Sequence, residues 1–506
     1  MDPRGPRGGR RREGTGGHWH GLLRASRWAA LAFLLIAGPG AAVAQGKAPG
    51  AYPSFSTSPA LHPGFKWQIH DYVARCDQSL LKVNVKVPTG WRGQVGGTDV
   101  HTSDFVTQRS MDAGSALIVS FYRAGNPTAR TYFHLRCLPA DFPPYQFQRT
   151  RPGGPELFMV QLNHDYATIF NRNGVPMWWY QASGSTVDAK VLSDGTVAWD
   201  PTSPSGGNLT GDYEIRRLNG QFVRKVKTVG GPVTDLHDLV RLGNGNYLVG
   251  GQVIQSHVDT SAYGGSSDAD VMGFEIQEVT PGGQLVWKWD SLDHIGLAET
   301  PTTYWNQVTQ APQPYDIQHW NSLEPEGNRI LLSFRNLDAV YEINRATGNV
   351  VWKLGGTTTP RSLTVLNDPY GSYPLGSQHD ARRLPDGTVT IHDNFTYQNR
   401  GPRAVRYQID PQAGTATLVE SITDPDAAAS QCCGSARKLP SGDWLIGWGR
   451  IPQVGPVNRF VGAYNSSGQR IFQLQLPFGF FYRAAPVASG TVNAQRLRKA
   501  MNAMAH

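Results

Sequence analysis

Cysteine is scarce in this chain: 4 stand among 506 residues, without the doubled C-x2-4-C spacing of a structural zinc site, which disfavours a metal held by thiolates. Charge is scarce too, at 17% Asp, Glu, Lys and Arg. The net charge of +8 looks basic, but residues 1–44 carry seven Arg against Asp2 and Glu13, a balance of +5, so the remainder holds only about +3. No run of Lys and Arg with interleaved aromatics follows Arg27, so the electrostatic footprint of a nucleic-acid binder is missing. Long apolar runs are lacking as well. The stretch from Trp28 to Ala37 is shorter than the roughly 20 residues a spanning helix needs, and no later segment does better. Helical periodicity is sustained nowhere, which argues against a helical bundle.

What the sequence has in quantity is turn and strand chemistry. Its 57 Gly, 35 Pro, 14 Trp and 19 Tyr fit many short strands joined by tight turns, and the predicted class is all-β. The N-terminus reads as an export signal over residues 1–44: an Arg-rich start, the apolar stretch, then Ala42-Val43-Ala44 before Gln45 as a small-residue cleavage site. The mature chain is expected in the periplasm or secreted, with no stable membrane insertion after signal removal; an uncleaved anchor is the alternative. Cysteines of an exported protein read first as disulfides. Cys76 and Cys137 bracket a strand-rich stretch and are expected to pair, whereas the adjacent Cys432 and Cys433 leave a vicinal bridge and two free thiols both open.

Residues 45–65, rich in Pro, Ser, Gly and Ala, read as a linker. Alternating runs follow, among them Lys82-Val83-Asn84-Val85-Lys86-Val87 and Thr131-Tyr132-Phe133-His134-Leu135, and predict a small β-sandwich over 66–140. Further on the chain repeats itself. One half of each unit has the form Leu-x-x-Gly, as in Leu192 to Gly195, Leu242 to Gly245, Leu384 to Gly387 and Leu439 to Gly442, with one extra residue between Leu323 and Gly327. The other half sets a turn before an aromatic or apolar strand, as in Gly348-Asn349-Val350-Val351-Trp352-Lys353. Two hairpins make a four-stranded blade. With a degenerate copy at 156–181, the prediction is a six-bladed β-propeller over 150–482, followed by a C-terminal tail at 483–506; a stacked sandwich is the alternative.

Aligned on the turn glycine, three units place histidine at one register: His237, His319 and His379 each precede Gly245, Gly327 and Gly387 by eight residues. The first strand of a blade lines the central channel, so these imidazoles are expected to converge. A hairpin centred on Gly327 sets Arg335 opposite His319. Asn321, two residues along, is expected on the same face as His319, and Asp238 and Asp380 beside two of the histidines. Such a set suits a tetrahedral oxyanion: Arg offers a fixed fork of donors, Asn and His add more, and a neutral imidazole nitrogen can attack. A zinc site built from His237, His319 and His379 is the competing arrangement.

Asp235-Leu236-His237-Asp238, Gln318-His319-Trp320-Asn321-Ser322, Leu332-Ser333-Phe334-Arg335-Asn336, Val351-Trp352-Lys353-Leu354-Gly355-Gly356 and Ser377-Gln378-His379-Asp380-Ala381, in that order, resemble the bacterial arylsulfate sulfotransferases. The resemblance covers roughly 150–480. It implies a six-bladed propeller that uses no nucleotide sulfate donor and no cofactor. It further implies a ping-pong reaction in which His379 takes a sulfuryl group from a phenolic sulfate ester, as a sulfohistidine, and passes it to a phenol. His237, His319, Asn321 and Arg335 match the positions that hold the sulfuryl oxygens, and His319 is a candidate proton carrier. Residues 361–378 lack the cysteine pair that such proteins carry before the nucleophile, and Cys432 and Cys433 stand near the active register instead. Trp320, Tyr370, Tyr373 and Tyr397 are candidates for stacking on the aryl group or for packing. Partners beyond the small-molecule donor and acceptor are not indicated, and a homodimer is left open. Two other readings compete: a pyrroloquinoline-quinone-type dehydrogenase, from the Gly-Asn-Val-Val-Trp-Lys repeat, and a propeller that only binds a sulfated ligand.

Overall fold

Gly195, Gly245, Gly387 and Gly442 all hold φ between 79° and 90°, and each donates its N–H to the carbonyl of the leucine three residues earlier at 2.9–3.0 Å. This left-handed conformation is open to glycine at no steric cost, which is why the repeated Leu-x-x-Gly segments close hairpins. A computed structural model describes residues 51–77, 79–202, 211–450, 459–476 and 481–505. The expected export signal lies outside the described residues. Those residues are all-β, with 34 strands in eight sheets and two α-helices. No helix among them is long and apolar enough to cross a membrane.

Two sheets come first. One joins Ser54–Ser58, Ser79–Lys86 and Phe105–Met111; the other joins Asp71–Ala74, Asn126–Cys137, Ala116–Arg123 and Trp91–Val95. Alternation decides their inner faces: in Ser79–Lys86, Leu81, Val83 and Val85 are buried while Lys82 and Lys86 are exposed. These residues share one apolar cluster with Tyr72, Val119 and Phe133 of the other sheet, and the Cys76–Cys137 disulfide lies within it. The segment read as a linker is in part ordered. Ser54–Ser58 pairs with Ser79–Lys86 because Phe55, only 2% exposed, anchors a polar strand whose composition alone looks loop-like.

Six sheets of four or five strands follow in chain order. Their first strands include Val187–Val191, Val233–Arg241, Trp320–Glu326, His379–Arg383 and Ser435–Lys438, each pairing with the next strand of its own sheet. The ends of the series are tied. Gln146–Arg149 adds to the sixth sheet beside Arg470–Gln475, and Ala484–Pro486 adds to the first beside Leu157–Leu162. The stretch read as a C-terminal tail is therefore structural. It supplies that strand and the helix Ala494–Met504, whose Leu497, Ala500 and Met501 are buried in a cluster with Trp178 and Trp179.

The first strands meet in a buried charge cluster. Lys190, Arg382, Arg437 and Arg483 face Asp188, Asp238, Asp380 and Glu324, with contacts such as Lys190 to Asp238 at 2.5 Å, Arg382 to Asp238 at 2.7 Å, Arg437 to Asp380 at 2.6 Å and Arg483 to Asp188 at 2.8 Å. Burial pushes the Asp380 carboxyl up, but Arg437, Arg382 and Arg483 outweigh it and hold it below the usual range. Charges this deep are tolerable only because every one is paired.

Candidate active site

Sheets bulge where the site is built. Register shifts interrupt the first hairpin between Thr234 and Leu239, between Trp320 and Ser322, and between His379 and Arg382, which is at or beside each of the three aligned histidines. A bulge re-aims a side chain that regular pleating would commit to one face. His319 takes φ 49° at its bulge and Asp380 φ 58°. The rings of His237 and His319 come to 5.0 Å, and Tyr482 stands 5.7 Å from His237 and 6.4 Å from His379.

His379 is buried at 1% exposure. Its Nδ1 lies 3.0 Å from the Ser377 carbonyl and 2.9 Å from Asn394 Oδ1, and the Asn394 amide nitrogen donates to Ser430 and to the Cys433 carbonyl, which fixes the amide's orientation. Two oxygen acceptors at Nδ1 require the proton there. Nε2 then carries the lone pair, and it accepts the Cys433 N–H at 3.2 Å. Burial drives the His379 pKa well below its ordinary value, and Arg335, His237 and His319 push the same way, so the imidazole is neutral.

Arg335 sits where the hairpin pairing predicts: its N–H donates to the His319 carbonyl at 2.9 Å. Its guanidinium lies over Tyr304 at 5.7 Å and Tyr397 at 5.6 Å, with donors to Asn336 and, at 3.5 Å, the Gln431 carbonyl. Asn321 donates to the Gln378 carbonyl at 2.8 Å, just before the nucleophile candidate, and has a second amide hydrogen to spare. The structure thus gathers His237, His319 and Arg335 around His379, with Asn321 against the adjoining backbone.

Asp238 and Asp380 do not flank the histidines; their carboxylates turn to the buried charge cluster, because neighbouring residues of a strand face opposite ways. Two other carboxylates take that place. Asp235 contacts His237 Nδ1 at 2.5 Å and Asp316 contacts His319 Nδ1 at 2.5 Å. Burial pushes the Asp316 carboxyl up, yet His319 outweighs it and holds the group below its usual range. The Asp-x-His and Asp-x-x-His spacings were readable in the sequence; Asn394 lies across the hairpin that turns at Gly387, where the register shift beside His379 obscures which residue comes opposite.

Cys432 and Cys433 form a vicinal disulfide beside Tyr482, Leu236 and Val187. Trp320 belongs to the core, fully buried against Phe274. Tyr373 and Tyr304 donate to Asp338 at 2.7 Å, and Asp338 also takes the Ser377 N–H, which ties them to the strand of His379. Tyr370 and Tyr397 keep exposed faces. Among the described residues no group of three or more His, Cys, Asp or Glu is arranged to hold a metal ion.

Comparison with solved structures gives distant likenesses: a protein of unknown function from Bacteroides caccae (13% identity, 66% of this chain and 100% of that one, TM-score 0.42) and a putative 6-phosphogluconolactonase from Bacteroides fragilis (10% identity, 79% and 98%, TM-score 0.35). TolB from Acinetobacter baumannii is also similar (10% identity, 78% and 82%, TM-score 0.34). No curated protein sequence matches the chain. The family model described as arylsulfotransferase (ASST) matches residues 146–478, most of the chain. The chain therefore belongs to the arylsulfotransferase family and is a sulfotransferase.

Proposed function

We propose that this protein is an exported, periplasmic or secreted aryl sulfotransferase, needing no nucleotide donor, that moves a sulfuryl group from a phenolic sulfate ester to a phenol through a sulfohistidine at His379. In this reading the six successive sheets are the blades of a β-propeller and the two N-terminal sheets are a β-sandwich. The observation that carries it is the state of His379: neutral, with Nδ1 committed to two oxygens and the lone pair on Nε2, where among the described residues only the Cys433 N–H donates, at 3.2 Å.

Nε2 releases the Cys433 N–H and attacks sulfur, the S–O bond to the aryl group breaks, and its electron pair leaves as phenoxide, protonated by His319. In the second half-reaction a phenol gives its proton back to His319, its oxygen attacks sulfur, and the N–S bond breaks to restore the Nε2 lone pair. Such transfers pass through a loose transition state with charge on the oxygens, so fixed donors supply most of the acceleration. Arg335, His237, His319 and the spare Asn321 N–H are those donors. The His319–Asp316 contact suits proton carriage, because the carboxylate fixes the orientation of the ring.

The test is turnover. Purified protein should transfer sulfate from para-nitrophenyl sulfate to phenol, with His379→Ala abolishing transfer. Mass spectrometry of the intact protein after donor addition should find one sulfuryl group, located on His379; an active protein that never carries it would end the covalent mechanism.

A further inference from the structure

A second feature adjoins the site. A cavity of about 530 Å³ lies between residues 394–401 and 428–431. Asn394, the partner of His379, closes one side of it, and Tyr397 and Gln431, both neighbours of Arg335, form another. Gly401, Ala428 and Ala429 leave its wall open. The volume is ample for a one- or two-ring aromatic compound.

Arg400 lines this cavity and makes no ion pair among the described residues, although the Asp393 and Asp368 carboxylates are near enough to act on it. Its guanidinium rests on Phe395 at 3.6 Å and Tyr370 at 3.8 Å, and Nη2 donates to the Tyr373 carbonyl at 3.0 Å. Both nearby carboxylates are taken by Arg403, Asp393 at 3.0 Å and Asp368 at 2.8 Å. A guanidinium has five N–H donors, so most of those on Arg400 remain unused while two rings hold its plane in place. The neighbourhood contrasts with the paired arginines of the buried cluster.

We propose that this cavity holds the aryl group of the substrate and that Arg400 binds a carboxylate on it, so that the preferred substrates are phenolic acids. The inference rests on the sulfotransferase reading and names its substrate class. A single guanidinium matches the one charge and two oxygens of a carboxylate. In a ping-pong reaction the aryl groups of donor and acceptor occupy the site in turn, so the same preference applies to both halves.

The experiment compares para-hydroxyphenylpropionate with its methyl ester as acceptors, para-nitrophenyl sulfate being the donor; the propionate arm keeps the phenol's acidity nearly equal in the two. Wild-type kcat/KM should favour the acid by about tenfold or more, the range of a charge-assisted hydrogen bond. Arg400→Gln should bring the ratio toward one, and Arg400→Lys should restore part of it. A wild-type ratio near one, or an unchanged ratio in Arg400→Gln, overturns the proposal while leaving the sulfotransferase reading intact. Should no transfer occur at all, that reading fails, and calorimetric binding of the same pair decides the subsite: tighter binding of the acid, lost in Arg400→Gln, supports it, and equal binding overturns it.

Discussion

Asn394 Oδ1 lies 2.9 Å from Nδ1 of His379, so an amide oxygen on one strand end decides which nitrogen of the nucleophile candidate bears the proton. Asn394→Asp replaces that oxygen with a charged one and favours the imidazolium, raising the His379 pKa by about one to three pH units. Only neutral His379 can attack. The wild-type protein, whose His379 pKa lies well below 6.5, should keep its activity in mild acid. In Asn394→Asp the acid limb of the kcat/KM profile should move to higher pH, and in Asn394→Ala the rate should drop without such a move. Superimposable limbs in all three proteins would remove Asn394 from the account.

Arg335 meets two aromatic rings, and its two terminal nitrogens donate to Asn336 and to the Gln431 carbonyl. Lysine carries the charge without the planar two-donor geometry, so Arg335→Lys should lose about 10²–10³ in kcat/KM, as loss of a fixed oxyanion donor does elsewhere. Steady-state kinetics with para-nitrophenyl sulfate measures it. A loss below threefold would mean that the guanidinium contributes only charge.

The repeat turns, the histidine column and the pairing of Arg335 with His319 were legible in the sequence because each depends on short-range spacing: hairpin registers follow from the turn glycine. Asp235 and Asp316 stand two and three residues before the histidines they contact, so that spacing too was readable. What depends on distant segments was not. Ala484–Pro486 joins a strand over three hundred positions away and Arg483 a carboxylate 295 positions away, and a strand of three residues leaves no periodic trace.

His392 stands across from His379 in the sheet register, fully buried, with neither ring nitrogen partnered among the described residues. Burial lowers its pKa to about 4. Since the folded state holds this imidazole neutral while the unfolded chain protonates near 6.5, acid favours unfolding between those two values. The cost is absent above about pH 7 and reaches roughly 2 kcal/mol at pH 5. His392→Leu should remove this slope, so that its stability relative to wild type is about 2 kcal/mol better at pH 5 than at pH 7.5 in denaturant titrations. A pH-independent difference would show that His392 does not titrate in this window.

Arg483 and Arg498 separate two kinds of ion pair. Arg498 meets Asp71 at 2.7 Å on a surface where both remain partly exposed, and Arg498→Met should cost no more than about 1 kcal/mol. Arg483 is buried among Asp188, Asp238 and Asp380, at 2.8, 3.4 and 3.3 Å, and donates to the carbonyls of His237 and Asn321. Removing it leaves buried carboxylates undercompensated on three first strands at once. Arg483→Met should therefore cost about 3–5 kcal/mol, seen as a lower denaturant midpoint. The variant should also lose catalytic activity out of proportion to its stability, because the two carbonyls it holds belong to site residues. Equal costs for the two arginines would mean that the buried cluster is no more than a crowded surface network.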